Sequence, residues 1–341
     1  MKVSSSSLGD DLAHDEMARV YVSSEWGELK ECVYGATHEF LFPKWNIDAD
    51  LRPVGEFRKL WKENAGRQLL DVDPEYFASW KKQIDDVVVF LEQSGIKVHR
   101  GAKISTANRK FPDGENWGTP TGWHRDGFVT IGNNVIELAP RTMFHRRQKF
   151  ATRHILIETM QRGARYFAQP DCGADQFVDH PGWGYLEGGD IFVLEKKILV
   201  GNSGHCSNLA GAQWLHHMLG SEYDVETVPI DPSLFQHLDC VLCTPREGVA
   251  IACTAAFTNG LPDYIRDWDI IDVDPIYCND ALGTNHLVID DRTVMVPSED
   301  EHDHIAAELK KRQFEVIRMP YGHVYRCGGS FRCAHQPLIR L

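Results

Sequence analysis

Residues 190–202 read DIFVLEKKILVGN, and this stretch sets the pattern of the whole chain. Two apolar runs flank a polar turn at 195–197, which is the signature of a β-hairpin. Three further segments have the same layout and begin at Asp126, Asp239 and Asn285. The hairpins recur at intervals of roughly 50 residues, and regular repetition at this period indicates a propeller or a solenoid.

Each hairpin leads into a helical or turn-rich segment and then another strand. After the first hairpin quoted, LAGAQWLHHML (209–219) has the apolar spacing of a helix, and YDVETVPI (223–230) has the composition of a strand. Near the C-terminus, EDEHDHIAAELKKRQ (299–313) places acids before bases, as the helix dipole favours. FEVIRMP (314–320) then follows as a strand. The repeated unit is therefore β-β-α-β, and the predicted class is α/β.

The two ends of the chain supply the pieces of one more unit. EWGELKECVYG (25–35) is an early strand without a nearby partner, and SFRCAHQPLI (330–339) alternates like a strand. The next step of the repeat falls at Cys333, and pairing the two ends would leave no free sheet edge. The sequence thus predicts a five-bladed α/β propeller of ββαβ units. Its single domain is expected to span 17–341, after a disordered leader at 1–16.

A closed ring would bring equivalent strand ends together at the central axis. Three carboxylates, one histidine and one thiol would then share a pocket, whereas the one amide in the set is interpreted as structural. The equivalent positions are Asp126, Asp190, His237 with Asp239, Asn285 and Cys333.

This set of side chains suits one kind of chemistry. Two carboxylates can bind a planar guanidinium through paired hydrogen bonds. A thiolate is a strong nucleophile at carbon, and a neighbouring histidine can activate it or move protons. The paired glycines 328–329 would let the backbone approach a ligand closely. We therefore expect attack of the thiolate on a guanidinium carbon, with a covalent amidino-thioether as the product.

Several segments resemble the guanidino-group-modifying superfamily, which includes arginine amidinotransferases, arginine deiminases and related hydrolases. They are RDGFVTIGNNVIELAP, LEGGDIFVL, LPDYIRDWDII, LGTNHLVIDDRTVMV and CGGSFRCAHQPLIR, and they run in the family's order. The resemblance implies the five-bladed pentein propeller. It also implies Cys333 as nucleophile and His237 as general base and acid, with Asp190 beside it. By the same resemblance, Asp126 and Asp239 would bind the guanidinium.

The resemblance implies an amidinotransferase that moves an amidino group from L-arginine, or a related guanidine, to an acceptor amine. LEGGD and the PLIR run after Cys333 are closer to the hydrolases, so a deiminase- or dihydrolase-like guanidine hydrolase stays open. LPDYIRDWDII and RTMFHRRQKF are closer to the amidinotransferases. An inactive propeller scaffold and a Cys–His peptidase are the weaker alternatives.

Two departures concern the remote end of the substrate. The segment after Thr254 lacks the arginine that glycine-type amidinotransferases place there for a substrate carboxylate. Asn279 and Asp280 replace a serine pair of the family.

Composition limits the classes of partner that the chain is expected to bind. The chain has 36 Lys and Arg against 49 Asp and Glu, a net charge of −13, which argues against a nucleic-acid surface. No apolar run is long enough to span a membrane. Nine irregularly spaced cysteines indicate reduced thiols in a cytoplasmic protein.

No cofactor or metal is predicted. The sequence has no phosphate loop and no dinucleotide fingerprint. The Cys240–Cys243 pair has no second pair, whereas structural zinc needs four ligands. The expected partners are therefore a small-molecule guanidine donor and an acceptor amine. The oligomeric state is left open, with a homodimer as one option.

Overall fold

The computed structural model describes residues 19–44, 55–111, 114–172 and 182–341. The leader predicted at 1–16 lies outside the described residues. Within them the chain has an α/β fold, as predicted. The strands are β1 (Leu29–Tyr34), β2 (Phe40–Leu41), β3 (Lys97–Arg100), β4 (Thr119–Pro120), β5 (Phe128–Ile131), β6 (Asn134–Glu137), β7 (Arg165–Ala168), β8 (Ile191–Leu194), β9 (Lys197–Asn202), β10 (Asp224–Pro229), β11 (Leu242–Arg246), β12 (Val249–Ala252), β13 (Asp269–Asp272), β14 (Leu287–Asp290), β15 (Thr293–Pro297), β16 (Glu315–Met319) and β17 (His335–Arg340).

These strands form five three-stranded sheets and the short pair β2–β4. Each sheet combines an antiparallel pair with a third strand that lies parallel to its neighbour. The strand orders are β5-β6-β7, β8-β9-β10, β11-β12-β13, β14-β15-β16 and β17-β1-β3. The pairing of β1 with β17 joins the two ends of the chain, as predicted. The described sheets do not close into one barrel, and their arrangement as five blades stays a prediction.

Three of the longer described helices begin at a side-chain cap. Asp73, Asn208 and Asp274 each accept a hydrogen bond from a backbone N–H in the first turn of the helix that follows, which satisfies a donor without an intrahelical partner. The helices are α1 (Gly55–Glu63), α2 (Leu69–Val72), α3 (Pro74–Gln93), α4 (Thr106–Arg109), α5 (Lys149–Thr159), α6 (Leu209–Leu219), α7 (Pro275–Ala281), α8 (Asp303–Lys311), α9 (Gly322–Tyr325) and α10 (Phe331–Ala334).

The first hairpin quoted folds as its sequence predicts. Leu194 pairs with Lys197 across the turn, where Glu195 adopts a φ of 58°. All four residues of β8 are buried, which explains why the strand is apolar throughout instead of alternating. Of the described residues, none belongs to a helix long and apolar enough to cross a membrane.

An extended segment near the start of the described chain crosses three of the sheets. The Tyr21 N–H donates to the Leu338 carbonyl at 3.1 Å, and the Val22 N–H donates to Gly132 at 2.9 Å. Ser24 forms a bridge with Leu194. These contacts connect β17, the β5–β6 turn and the end of β8.

The polar residues predicted to converge precede the first strand of their hairpins. Three of them lie in short 3-10 turns at 125–127, 188–190 and 238–240. Cys333 is different, because the strand predicted over 330–339 begins only at His335. Residues 331–334 form the helical turn α10, in which the Ala334 N–H donates to the Ser330 carbonyl at 3.0 Å.

Candidate active site

Three of the predicted site residues, Cys333, His237 and Asp126, line one pocket. The elements that carry them are α10 and the turns before β11 and β5. Asp239 and Asp190, which were predicted to share this pocket, are buried and do not line it, although Asp239 lies within contact of the Cys333 thiol. The remaining described lining residues are Trp61, Pro120, Trp123, Phe144, His145, Leu234, Phe235, Gln236, Cys240, Cys278, Asn279, Leu282, Cys327 and Gly328.

Cys333 is buried but faces the pocket. Its Sγ lies 3.6 Å from Asp239 Oδ2, and its backbone N–H donates to Asn285 Oδ1 at 3.1 Å. Asn285 Nδ2 in turn donates to the Asp239 carbonyl at 3.1 Å. The Asn285 amide therefore positions the backbone at both Cys333 and Asp239.

His237 lies between two carboxylates. Its Nε2 is 2.8 Å from Glu187 Oε2 and 3.8 Å from Asp126 Oδ1. Glu187 is fully buried, and its Oε1 accepts a hydrogen bond from the Thr142 N–H at 2.9 Å. The orientation of the imidazole is therefore set by Glu187, a residue that the hairpin pattern did not select.

The Asp190 carboxylate bonds to backbone N–H groups, one of which is next to His237 in sequence. Its Oδ1 accepts from the Leu238 N–H at 2.9 Å, and its Oδ2 accepts from the Ser207 N–H at 3.1 Å. Burial raises the pKa of Asp190 to about 7, although His237 and these hydrogen bonds oppose the shift. The carboxylate thus holds the backbone next to His237 and does not contact the pocket.

Two glycines allow the close packing of these turns. A Cβ on Gly189 would lie 2.7 Å from His237 Nδ1 and 3.1 Å from Asp126 Oδ1. A Cβ on Gly329 would lie 2.3 Å from Trp123 Nε1, at the wall of the pocket. Glycine at 189 and 329 therefore permits contacts that a side chain would block. The expectation that 328–329 let the backbone approach a ligand stays a prediction.

The Cys333 thiol and the His237 imidazole have shifted pKa values. Burial and the charge of Asp239 raise the pKa of the Cys333 thiol well above its usual value. Burial would lower the pKa of His237, but Cys206, Asp126 and the hydrogen bond with Glu187 outweigh it and raise that pKa well above its usual value. Both shifts favour the protonated forms of the two groups, a thiol and an imidazolium.

A buried ion cluster supports the cysteine from below. Arg332 donates to Asp239 Oδ2 at 3.1 Å and to both oxygens of Glu25, at 3.1 and 3.2 Å. Arg125 reaches the same Glu25 carboxylate at 3.3 Å. Burial would raise the pKa of Glu25, but the charges of Arg332 and Arg125 outweigh it and lower that pKa to about 2. The cluster connects the N-terminal segment to the helical turn that carries Cys333.

Two groups of side chains in this region could hold a metal ion. They are Glu187, Cys206 and His237, and Asp126, His145 and Glu187, with ligand atoms within 4.8 Å of one another in each group. Both groups include residues that contact or surround the imidazole. The expectation that the site uses no metal stays a prediction.

No protein-family model matches the chain. Inosamine-phosphate amidinotransferase 1 of Streptomyces glaucescens is 25% identical over 349 residues, covering 93% of this chain and 96% of the relative. Mitochondrial glycine amidinotransferase of Xenopus tropicalis is 19% identical over 346 residues, covering 91% of this chain and 80% of the relative.

Two solved structures have the same fold. The inosamine-phosphate amidinotransferase of Streptomyces griseus matches with a TM-score of 0.79 at 19% identity, covering 94% of this chain and 97% of its own. The N-terminal domain of a cyanobacterial arginine dihydrolase matches with a TM-score of 0.62 at 14% identity, covering 92% and 98%. The resemblance found in the sequence, to the guanidino-group-modifying superfamily near the amidinotransferases, is confirmed.

Proposed function

Because the homologues of this chain are amidinotransferases of the guanidino-group-modifying superfamily, we propose that it transfers an amidino group from L-arginine, or a related guanidine, to an acceptor amine. The proposed intermediate carries the amidino group on Cys333 Sγ. One observation carries the proposal: a thiol, an imidazole and a carboxylate line one pocket, and a second carboxylate lies 3.6 Å from the thiol.

In the first half-reaction the guanidinium binds at Asp126, which lines the pocket, with the Asp239 carboxylate 3.6 Å from the thiol. The added positive charge offsets the carboxylate that disfavours the thiolate, so the Cys333 proton leaves to solvent when the donor binds. The thiolate forms a bond to the guanidino carbon. The imidazolium of His237 then donates its proton to the donor nitrogen as the C–N bond breaks. The donor amine departs, and a cationic amidino-thioether and a neutral imidazole remain.

In the second half-reaction the acceptor amine attacks the same carbon. The neutral imidazole of His237 takes the proton from the amine as the new C–N bond forms. The C–S bond breaks, the thiolate leaves, and the new guanidinium departs as a cation. The Cys333 thiolate regains a proton from solvent, which restores the starting state.

We assign Glu187 and Asp190 to different tasks beside His237. Glu187 contacts the imidazole directly at 2.8 Å and favours its protonated form. Asp190 acts as a positioning residue, because it holds the Leu238 N–H next to the histidine. The sequence expectation that Asp190 lies beside the base is thereby refined to a backbone contact.

We also propose that the five sheets surround one axis as blades. The support is a circuit of hydrogen bonds. The segment at the start of each sheet's first strand bonds to the corresponding segment of the next sheet, and the last sheet bonds back to the first. The contacts are Gly189 N to Asp126 Oδ1, Leu238 N to Asp190 Oδ1, Asn285 Nδ2 to the Asp239 carbonyl, Cys333 N to Asn285 Oδ1, and Gln336 Nε2 to the Arg125 carbonyl.

A guanidine hydrolase is the second candidate. The observation that favours it is the fold match to the arginine dihydrolase domain, together with the LEGGD motif whose Glu187 contacts His237. Water would then take the place of the acceptor amine. The higher TM-score of 0.79 belongs to an amidinotransferase, so transfer remains the leading proposal.

The deciding experiment supplies arginine labelled at the guanidino carbon, with and without a panel of amines. Transfer predicts ornithine only when an amine is present, with the label in a new guanidine. Hydrolysis predicts labelled citrulline or urea without any amine. An intact-protein mass spectrum during turnover should show the amidino adduct. Failure of every guanidine tested to form an adduct would contradict both candidates and leave the inactive scaffold.

Substitution of Glu187 by glutamine tests the assignment beside the histidine. Loss of the negative charge lowers the pKa of His237, so less imidazolium is available to protonate the leaving amine. We expect kcat to fall about 10²-fold and the alkaline limb of the pH–rate profile to move to lower pH. Glu195→Gln, at an exposed turn, is the control. A lowered kcat with an unmoved pH profile would mean that Glu187 has only a structural role.

A further inference from the structure

The pocket next to Cys333 has apolar and aromatic walls. Trp61, Phe144 and Phe235 are buried, and each turns part of its ring to the pocket. Trp61 and Phe144 are packed edge to face with their ring centres 6.5 Å apart. Trp123 packs on Phe40 in the same manner at 5.9 Å. These ring contacts hold the walls in place, so the space available to a substrate beyond the reacting carbon is largely hydrophobic.

Among the described residues, no lysine or arginine lines this pocket. Arg332 is adjacent to Cys333 in sequence, but its guanidinium is directed away from the pocket into the cluster with Glu25 and Asp239. Its position is further fixed by the ring of Phe192, which lies 3.8 Å from the guanidinium carbon. This arginine therefore cannot serve as the counter-charge for an anionic group on a substrate.

The edge of the pocket carries negative charge instead. Asn279 lines the pocket, and its Nδ2 donates to Asp280 Oδ1 at 3.1 Å. The Asp280 carboxylate is exposed, and Asp126 lies deeper in the same pocket. A carboxylate or phosphate that entered would lose hydration among aromatic rings and face the carboxylates of Asp126 and Asp280, while the imidazole of His237 is already bonded to Glu187. The site therefore disfavours anionic groups through both its walls and its charges.

We propose that the acceptor amine of this site has an apolar or aromatic body and carries no carboxylate or phosphate. The inference rests on the proposed function, because it concerns the second half-reaction. In L-arginine a flexible side chain separates the guanidinium from the carboxylate. In a short amino acid the amine and the carboxylate share one carbon, so an attacking amine would bring its carboxylate into the pocket. The exclusion of anionic groups therefore acts most strongly on the acceptor.

The test isolates the second half-reaction. Cys333 is loaded with labelled guanidine donor, excess donor is removed, and loss of the amidino adduct is followed by mass spectrometry. The amines are 2-phenylethylamine, L-phenylalaninamide, L-phenylalanine and glycine, compared at equal concentrations of free amine. The amide and the amino acid have the same size and differ in charge. We expect the amide to discharge the adduct at least roughly tenfold faster than the amino acid.

Addition of a positive charge at the rim supplies a second test. Leu234 lines the pocket and is 38% exposed, so Leu234→Arg should be tolerated by the fold. This variant should narrow the difference between L-phenylalanine and its amide. Leu209→Arg is the matched control, because Leu209 is 54% exposed at the start of α6 and outside the pocket. It should leave the difference unchanged.

The outcomes separate the inference from the proposed function. If L-phenylalanine or glycine discharges the adduct as fast as the amide, the inference is wrong and amidino transfer stands. If water discharges the adduct at one rate whatever amine is added, amidino transfer itself is wrong and the chain is a hydrolase. Faster discharge by the two amines without a carboxylate supports both the inference and amidino transfer, provided that Leu234→Arg narrows the difference between the amide and L-phenylalanine.

Discussion

Replacement of Cys333 by serine is expected to lower the rate of arginine consumption by roughly 10⁴-fold or more, with no amidino adduct in the mass spectrum. A hydroxyl occupies nearly the same space as the thiol but is a far weaker nucleophile at neutral pH. The backbone hydrogen bond from residue 333 to Asn285 does not involve the side chain, so α10 should keep its position. The measurement is ornithine formed per unit time beside the mass of the intact protein.

Cys327→Ser is the matched control for this loss. Cys327 lines the same pocket, and its Sγ donates to the His323 carbonyl at 3.1 Å, which a serine hydroxyl can also do. We expect this variant to retain most of the activity and to form the adduct. Equal loss in both variants would point to a general effect on the pocket, and an adduct in Cys333→Ser would contradict the assigned nucleophile.

Substitution of Glu25 by glutamine is expected to lower the free energy of unfolding by about 3–5 kcal/mol, the usual cost of breaking a buried ion pair. The Glu25 side chain is 11% exposed and accepts hydrogen bonds from Arg332 and Arg125. When residue 25 has no charge, Asp239 is the carboxylate that still bonds to Arg332. Urea unfolding of the two proteins at neutral pH measures the difference.

The pH dependence of this difference has a definite sign. The folded-state pKa of Glu25 is about 2, below the ordinary value of 4.5, so the carboxylate contributes its stability above pH 4.5. That contribution is lost as the pH falls from about 4.5 towards 2. The two proteins should therefore differ most at neutral pH and converge in acid. Glu28→Gln, at an exposed surface position, is the control and should change stability little.

A difference between Glu25→Gln and the parent protein that stays constant down to pH 2 would contradict this account. It would mean that the destabilisation comes from packing and not from the loss of charge. A large effect should also reach the active site, because Arg332 connects Glu25 to Asp239 beside Cys333. We expect adduct formation to slow in Glu25→Gln even under conditions where the protein remains folded.

Much of the fold could be predicted from the sequence because its signals are local. Each hairpin has apolar strands on both sides of a polar turn, and the pairing of β8 with β9 matches the predicted turn to within one residue. The pairing of β1 with β17 was predicted from the counting of units, since an unpaired strand at each end needs a partner. The strand predicted around Cys333 was wrong in part, because residues 331–334 form a helical turn.

That error has a physical cause. Residues 330–339 alternate between apolar and polar positions in a manner typical of a strand, but all positions from Ser330 to Arg340 are buried. Alternation therefore does not report which face meets solvent. The Asn285 side chain, which is distant in sequence, accepts the Cys333 N–H. A contact of this kind has no signature in the local sequence.

Local sequence signals determined the repeated β-β-α-β unit and placed Asp126, His237 and Cys333 among the residues expected to share a pocket, because these predictions depend on periodicity and residue type. Four of the described cysteines line that pocket, and the nucleophilic role of Cys333 stays a prediction. Only the tertiary structure decided that Glu187, and not Asp190, contacts the imidazole of His237. Which acid contacts the imidazole depends on how the Gly188–Asp190 turn orients Glu187 and Asp190, which are three residues apart. Likewise, Glu25 and Arg332 are separated by 307 positions and meet only because the chain's ends share a sheet.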